Sequence, residues 1–213
     1  MHPALLVIAK APVPGRAKTR LSPPCSPEQA AALAGAALRD TLAAAARARY
    51  AGRRVAVLEG EPGPWLPRDF EVIPQRGDGL AQRLAAAFDD VREPAFLVGM
   101  DTPQITPAQL DAGLTAVARG DSAFGPALDG GYWGIGLRTP DAAVFADVPM
   151  STGHTGAVQL ARMAERGLEP VILPPLRDVD TFDIAQAVAA EAPRTHFAAA
   201  LAKITRALEE VAV

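Results

Sequence analysis

The run Ala4-Leu5-Leu6-Val7-Ile8-Ala9 limits what this chain can fold into more than any other feature. An alternating pattern marks a strand with one wet face, whereas an unbroken apolar run of strand length marks one buried on both faces. Such a strand needs cover above and below, which points to a sheet sandwiched between helices. Ala95–Val98 has the same character, and Arg53–Leu58, Phe70–Ile73, Ser122–Gly125, Tyr132–Leu137 and Pro170–Leu173 supply further strand-like segments. Alanine-rich stretches, good helix formers, lie between them. Ser26 with Pro27 starts a helix that runs to about Arg49, and Gly79–Val91 carries Leu80, Leu84, Ala87, Phe88 and Val91 at helical spacing. Thr106-Pro107 opens a helix to about Arg119, Thr155–Arg166 stops at Gly167, and Asp183–Glu191 and Thr195–Val211 follow. Strands alternating with helices predict an α/β class with helices on both faces of the sheet, and the 213 residues, 1–213, are expected to form a single domain.

Composition closes off other classes. A chain that is 49% hydrophobic and 21% charged is not disordered. A net charge of −3 without a long basic run argues against nucleic acid or a membrane surface as partner. The single cysteine, Cys25, excludes an internal disulfide and a Cys-rich zinc site, and a reducing cytoplasm is the expected location. No apolar run approaches the roughly 20 residues of a spanning helix, and the apolar start lacks a basic leader, so neither a membrane span nor a signal peptide is expected.

Ligands of α/β sheets bind outside the carboxyl ends of the strands. Directly after the first strand-like run comes Lys10-Ala11-Pro12-Val13-Pro14-Gly15-Arg16-Ala17-Lys18-Thr19-Arg20-Leu21, with cations at Lys10, Arg16, Lys18 and Arg20. Its prolines fix the path and Gly15 admits close approach of the backbone, so it reads as a nucleotide-phosphate cradle or, more blandly, as a solvated basic loop. The Walker A spacing is absent. Its cations repel one another until a phosphate arrives. Asp101, in Gly99-Met100-Asp101-Thr102-Pro103, either holds Mg²⁺ or Mn²⁺ or caps a turn. Asp129-Gly130-Gly131, followed by Tyr132-Trp133, is either a hairpin turn or an acceptor pocket with room left by the glycines and walls made by the aromatic pair. In Arg177-Asp178-Val179-Asp180-Thr181, alternation puts Asp178 and Asp180 on one side of an extended segment. Asp101 at one strand end and Asp178 or Asp180 at another could converge on one cation, opposite the basic loop. His2 is terminal, His196 reads as a surface or packing residue, and His154 has no metal partner in sequence. The Gly-x-Ser-x-Gly elbow of serine hydrolases is missing.

Six ordered blocks, AKAPVPGRAKTRL, GDGLAQRLAAAF, GMDTP, GPALDGGYWGIGL, MSTGHTGAVQL and RDVDT, resemble the bacterial family DUF2064, glycosyltransferase-like members of the GT-A or nucleotide-diphospho-sugar transferase superfamily. Phospholactate guanylyltransferases and molybdenum-cofactor nucleotidyltransferases are relatives. The resemblance spans Lys10 to Asp183 and implies a three-layer α/β/α Rossmann-like GT-A fold with a mixed, mainly parallel sheet. It implies Asp101 and Asp180 as metal ligands and, with Asp129, as catalytic residues. Lys10, Gly15, Arg16, Lys18 and Arg20 would bind nucleotide phosphates, Gly79 and Arg83 the base or ribose. Asp129, Gly130 and Gly131, with Ser151 and Thr152, would face the acceptor or sugar. Two departures stand out: Asp101 is followed by Thr102 and Pro103, so there is no Asp-x-Asp, and the first loop is closer to the Lys-x-Arg-Leu loop of phospholactate guanylyltransferases. The implied activity is a transferase that needs Mg²⁺ or Mn²⁺, takes a nucleotide-sugar donor and serves a small-molecule acceptor. The alternatives are nucleotidyl transfer from an NTP to a phosphorylated small molecule, and a nucleotide-binding module without turnover.

Overall fold

The computed structural model describes residues 2–211. In chain order the elements are β1 (Ala4–Lys10), α1 (Pro27–Ala46), β2 (Arg54–Glu59), β3 (Glu71–Pro74), α2 (Leu80–Val91), β4 (Ala95–Gly99), α3 (Pro107–Arg119), β5 (Ala123–Pro126), β6 (Tyr132–Leu137), α4 (Thr155–Glu165), β7 (Val171–Ile172), α5 (Phe182–Glu191) and α6 (His196–Val211). Short 3-10 turns add Thr19–Leu21 and Ala142–Phe145.

The seven strands form one sheet in the order β3-β2-β1-β4-β6-β5-β7. β1 pairs in parallel with β2 and β4, β2 with β3, and β5 with β7; β6 alone runs against its neighbours β4 and β5. Alternation along β1 sends Leu5, Val7 and Ala9 toward α1 and α3, and Ala4, Leu6 and Ile8 toward α2 and α4. Both faces of β1 are therefore dry, as its unbroken apolar run requires. A third layer of contacts lies behind α1: Leu33 and Ala37 pack against Val188 of α5 and Phe197 and Leu201 of α6. Alanines on two sides of α1 let this helix be buried between the sheet and α6.

Helix starts follow the sequence closely. Ser26 and Thr106 each form a capping box, with Gln29 and Gln109, and proline occupies the first turn of both helices. Helix ends follow it less well. α1 stops at Ala46 and not near Arg49, because Asp111 of α3 accepts the Arg49 and Tyr50 backbone N–H groups at 2.8 and 3.1 Å and draws the chain out of the helix. The strand read as Pro170–Leu173 shrinks to Val171–Ile172, both exposed at the sheet edge, since the flanking Pro170 and Pro174 have no N–H to give. Among the described residues no helix is long and apolar enough to cross a membrane.

Candidate active site

Strand direction gathers the polar segments at one edge. β1 and β4 end there, at Lys10 and Gly99; β5 also ends there, and β6, running backward, begins there at Tyr132. The edge opens into a cleft of about 800 Å³. Its walls include Lys10, Arg16, Lys18, Arg20, Gly79, Arg83, Asp101, Asp129, Gly131, Ser151, Thr152, Asp178 and Asp180. Two of the expected site residues lie outside the walls. Gly15 sits exposed at the crest of the basic loop with φ 73°, and Gly130 turns the chain with φ 88°. A Cβ at Gly130 would overlap the Gly153 carbonyl, so this glycine admits a neighbouring backbone and does not clear room for substrate. Gly156 N–H completes that contact by donating to the Gly130 carbonyl at 2.8 Å.

The basic loop is pinned by its apolar residues. Ala17 is buried under the sheet and Leu21 in the α1–α5–α6 cluster, so cations project between two anchors. Lys18 takes the left-handed conformation, φ 51°, which for a non-glycine residue costs about 1 kcal/mol. Its ammonium is almost completely buried, 2.8 Å from Asp101 Oδ1, and it also donates to the Val179 carbonyl. Arg20 pairs with Asp180 at 2.8 Å and Lys10 with Glu59 at 3.2 Å. Three of the four loop cations thus have a carboxylate before any phosphate arrives, and mutual repulsion does not govern the loop. Arg16 is the loop cation with no ion-pair partner among the described residues.

The acidic side is assembled by backbone contacts. Val179 N–H donates to the Asp101 carbonyl at 2.9 Å, and Gln104 Nε2 donates to the Arg177 carbonyl at 2.7 Å. These clips lay the segment after β7 beside the segment after β4. Val179 points into the core while Asp178 and Asp180 face the cleft. Asp178 is the most perturbed acid. Burial, then the charges of Asp101, Asp129 and Asp180 against the pull of Lys18, pushes its carboxyl up to about 7. Its Oδ1 is buried and has no hydrogen-bond partner. Among the described residues no three carboxylates or imidazoles are gathered closely enough to hold a metal unaided. The donors nevertheless suit Mg²⁺ or Mn²⁺: hard carboxylate oxygens, one orphaned and crowded by like charge, fit an ion usually held by one or two carboxylates plus substrate phosphates.

On the side of the cleft next to α2, Gln75 Nε2 donates to the Ala9 and Val57 carbonyls at 2.7 and 3.1 Å, tying β1 and β2 together. Arg83 donates to Gln75 Oε1 at 3.2 Å and to Glu59. Burial works to raise the Glu59 carboxyl, yet hydrogen bonds from Arg83 and Lys10 hold it below the usual range. Gln75 and Asp78 were not among the expected site residues, though they follow a strand-like segment as the other site residues do. The aromatic pair is less available than expected. Trp133 borders the cleft but is buried, with its indole N–H on the Pro174 carbonyl at 3.1 Å, and the Tyr132 hydroxyl is bonded to Gln159 at 3.2 Å. His154 is the exposed N-cap of α4, outside the walls, and Arg177 pairs with Glu191 away from the cleft.

Among known structures, a candidate nucleotide-diphospho-sugar transferase from Desulfovibrio desulfuricans G20 superposes with a TM-score of 0.84 at 26% identity, over 98% of this chain and 97% of that one. CMP:2-keto-3-deoxy-manno-octonic acid synthetase in complex with CTP gives 0.55 at 12% identity, over 89% and 98%. Rv0371c from Mycobacterium tuberculosis H37Rv in complex with manganese gives 0.51 at 20%, over 88% and 98%. The last two likenesses show the fold alone, a GT-A-like α/β sandwich. No curated protein matches the sequence. Residues 30–152 match the family described as "Uncharacterized protein conserved in bacteria (DUF2064)". With more than half of the sequence matched, the chain belongs to the DUF2064 family.

Proposed function

We propose that the chain is a single-domain transferase that grips a nucleotide with its Lys10–Arg20 loop and passes a group from it to a small-molecule acceptor. The observation that carries this reading is the meeting, in one cleft, of a basic loop with Asp101, Asp129, Asp178 and Asp180, which come from three different strand ends. A nucleotide diphosphate needs both: cations for its oxygens and carboxylates for the metal that accompanies it. Asp101 and Asp180 would hold Mg²⁺ or Mn²⁺, with Asp178 beside them; when bound, the ion supplies charge that neutralises the departing diphosphate. The likeness to a manganese-bound protein of the same fold supports that choice.

The chain's own residues divide the remaining work. Arg16, unpaired, receives a phosphate first; Lys10 and Arg20 exchange Glu59 and Asp180 for phosphate oxygens. Gly79, Gln75 and Arg83 frame the base or ribose. Asp129 uses Oδ1 to accept the Gly131 N–H at 2.9 Å, which leaves Oδ2 to orient an acceptor hydroxyl and take its proton. The leading reaction is glycosyl transfer from a nucleotide sugar, in line with the description of the Desulfovibrio protein. Nucleotidyl transfer is the second reading, favoured by the CTP-bound synthetase of the same fold. Both are tested by incubating the protein with Mn²⁺ and a panel of nucleotide sugars and NTPs. Release of nucleoside diphosphate supports the first, release of pyrophosphate the second, and a protein whose melting temperature responds to no nucleotide refutes both.

A further inference from the structure

We infer that the acceptor wall of the cleft is built for an uncharged, hydroxyl-bearing molecule and excludes a phosphomonoester, an inference that rests on the transferase reading above. The cations facing the cleft come from two places, the Lys10–Arg20 loop and Arg83 of α2. The opposite wall, made by the β5–β6 turn, β6 and the segment entering α4, presents Asp129, Tyr132, Met150, Ser151 and Thr152. Among the described residues, that wall contains no lysine, arginine or histidine.

His154, the exposed N-cap of α4, lies outside the cleft walls, and three other sources of positive potential near this wall are engaged. The first amides of α4 are satisfied, Thr155 N–H by the Thr152 carbonyl at 3.2 Å and Gly156 N–H by the Gly130 carbonyl at 2.8 Å. Arg162, farther along α4, pairs with Asp147 and Glu165 at 3.6 and 2.9 Å, and Arg177 pairs with Glu191 at 2.7 Å. The one charged side chain this wall presents to the cleft, among the described residues, is the carboxylate of Asp129. A dianionic acceptor seated on this wall would approach the Asp129 carboxylate with no cation of the wall to receive it.

What the wall offers suits a polyol or sugar. Asp129 Oδ2 accepts from a hydroxyl, and Ser151 and Thr152 present hydroxyls that both give and accept. Met150 and the Tyr132 ring supply apolar surface for C–H faces. Of the two transfers, this wall fits the glycosyl one. The acceptor oxygen forms a bond to the sugar's anomeric carbon, the bond from that carbon to the diphosphate oxygen breaks with its electron pair, and the acceptor proton passes to Asp129.

The test uses inorganic phosphate as the probe. The protein is first saturated with Mn²⁺ and whichever of ADP, CDP, GDP or UDP binds, then titrated with phosphate by calorimetry. The expected result is that phosphate competes with the nucleotide for the free protein and does not bind the saturated protein up to about 10 mM. Submillimolar phosphate binding to the saturated protein overturns the inference while leaving the transferase reading intact. Pyrophosphate release from an NTP on addition of a phosphomonoester overturns it as well. If none of the four nucleotides binds, the transferase reading itself fails, and the inference with it.

Discussion

Lys18 is the residue on which the charge balance of the cleft turns. It holds an unfavoured backbone conformation in order to place a buried ammonium against Asp101, among carboxylates that would otherwise repel one another. Removing one member of such a pair leaves the other uncompensated, tempered here because Asp101 is partly exposed. Lys18→Ala is expected to lower the free energy of unfolding by about 1–3 kcal/mol, and Mn²⁺ to recover part of that loss by supplying the missing charge. Urea denaturation with and without the ion checks both; equal stability of variant and parent would make Lys18 a bystander. In the proposed function Arg20 and Asp129 have opposite duties. Losing one charge-assisted phosphate contact costs about 1.5–3 kcal/mol, so Arg20→Ala should weaken nucleotide binding by roughly tenfold to a hundredfold. Asp129→Asn should leave it nearly unchanged while lowering turnover. Calorimetric titration of both variants decides this, and an equal loss of affinity would move the β5–β6 turn to the donor side.

Between elements, two contacts carry predictions. Asp40 of α1 is buried and accepts the His196 and Phe197 backbone N–H groups at 3.0 and 2.8 Å, with His196 Nδ1 at 2.7 Å, so one carboxylate satisfies the start of α6 from another helix. Asp40→Ala should destabilise the protein by about 1.5–3 kcal/mol and raise amide exchange first in α6. Protection lost evenly along the chain would contradict this local role. Phe96 of β4 is packed against three glycines: a Cβ at Gly113 of α3 would come within 2.6 Å of the ring, one at Gly134 within 2.8 Å and one at Gly136 within 3.0 Å. Gly113→Ala is therefore expected to cost about 1–3 kcal/mol through overpacking, despite the better helix propensity of alanine. A Tm at or above the parent's would show that α3 moves freely off the sheet.

At the scale of the molecule, the cleft edge is where ligand and stability meet. Its loops are joined to each other by ion pairs, and in the proposed function a nucleotide replaces two of them, Lys10–Glu59 and Arg20–Asp180. A bound ligand raises apparent stability by mass action. The nucleotide that binds should raise Tm more with Mn²⁺ than without, and EDTA should return Tm to the metal-free value. A nucleotide shift indifferent to both would remove the metal from the binding step.

The amino-acid order by itself determined the sandwich. Ala4–Ala9 had to be dry on both faces, the capping boxes at Ser26 and Thr106 fixed two helix starts, and Asp178 and Asp180 flanked an apolar Val179 in a pattern that leaves one side for each. These are short-range effects of periodicity and capping, readable without partners. The tertiary structure decided the rest. The backward run of β6, which brings Asp129 and Tyr132 to the ligand edge, depends on which neighbours β6 pairs with. The pairing of Lys18 with Asp101 and of Arg20 with Asp180 turned a loop read as self-repelling into a compensated one. The exposure of Val171 and Ile172 follows from their place at the rim, where an apolar pair has no second strand to cover it. Charge compensation, strand direction and burial depend on residues far apart in the chain, so local pattern does not contain them; only the folded arrangement sets them.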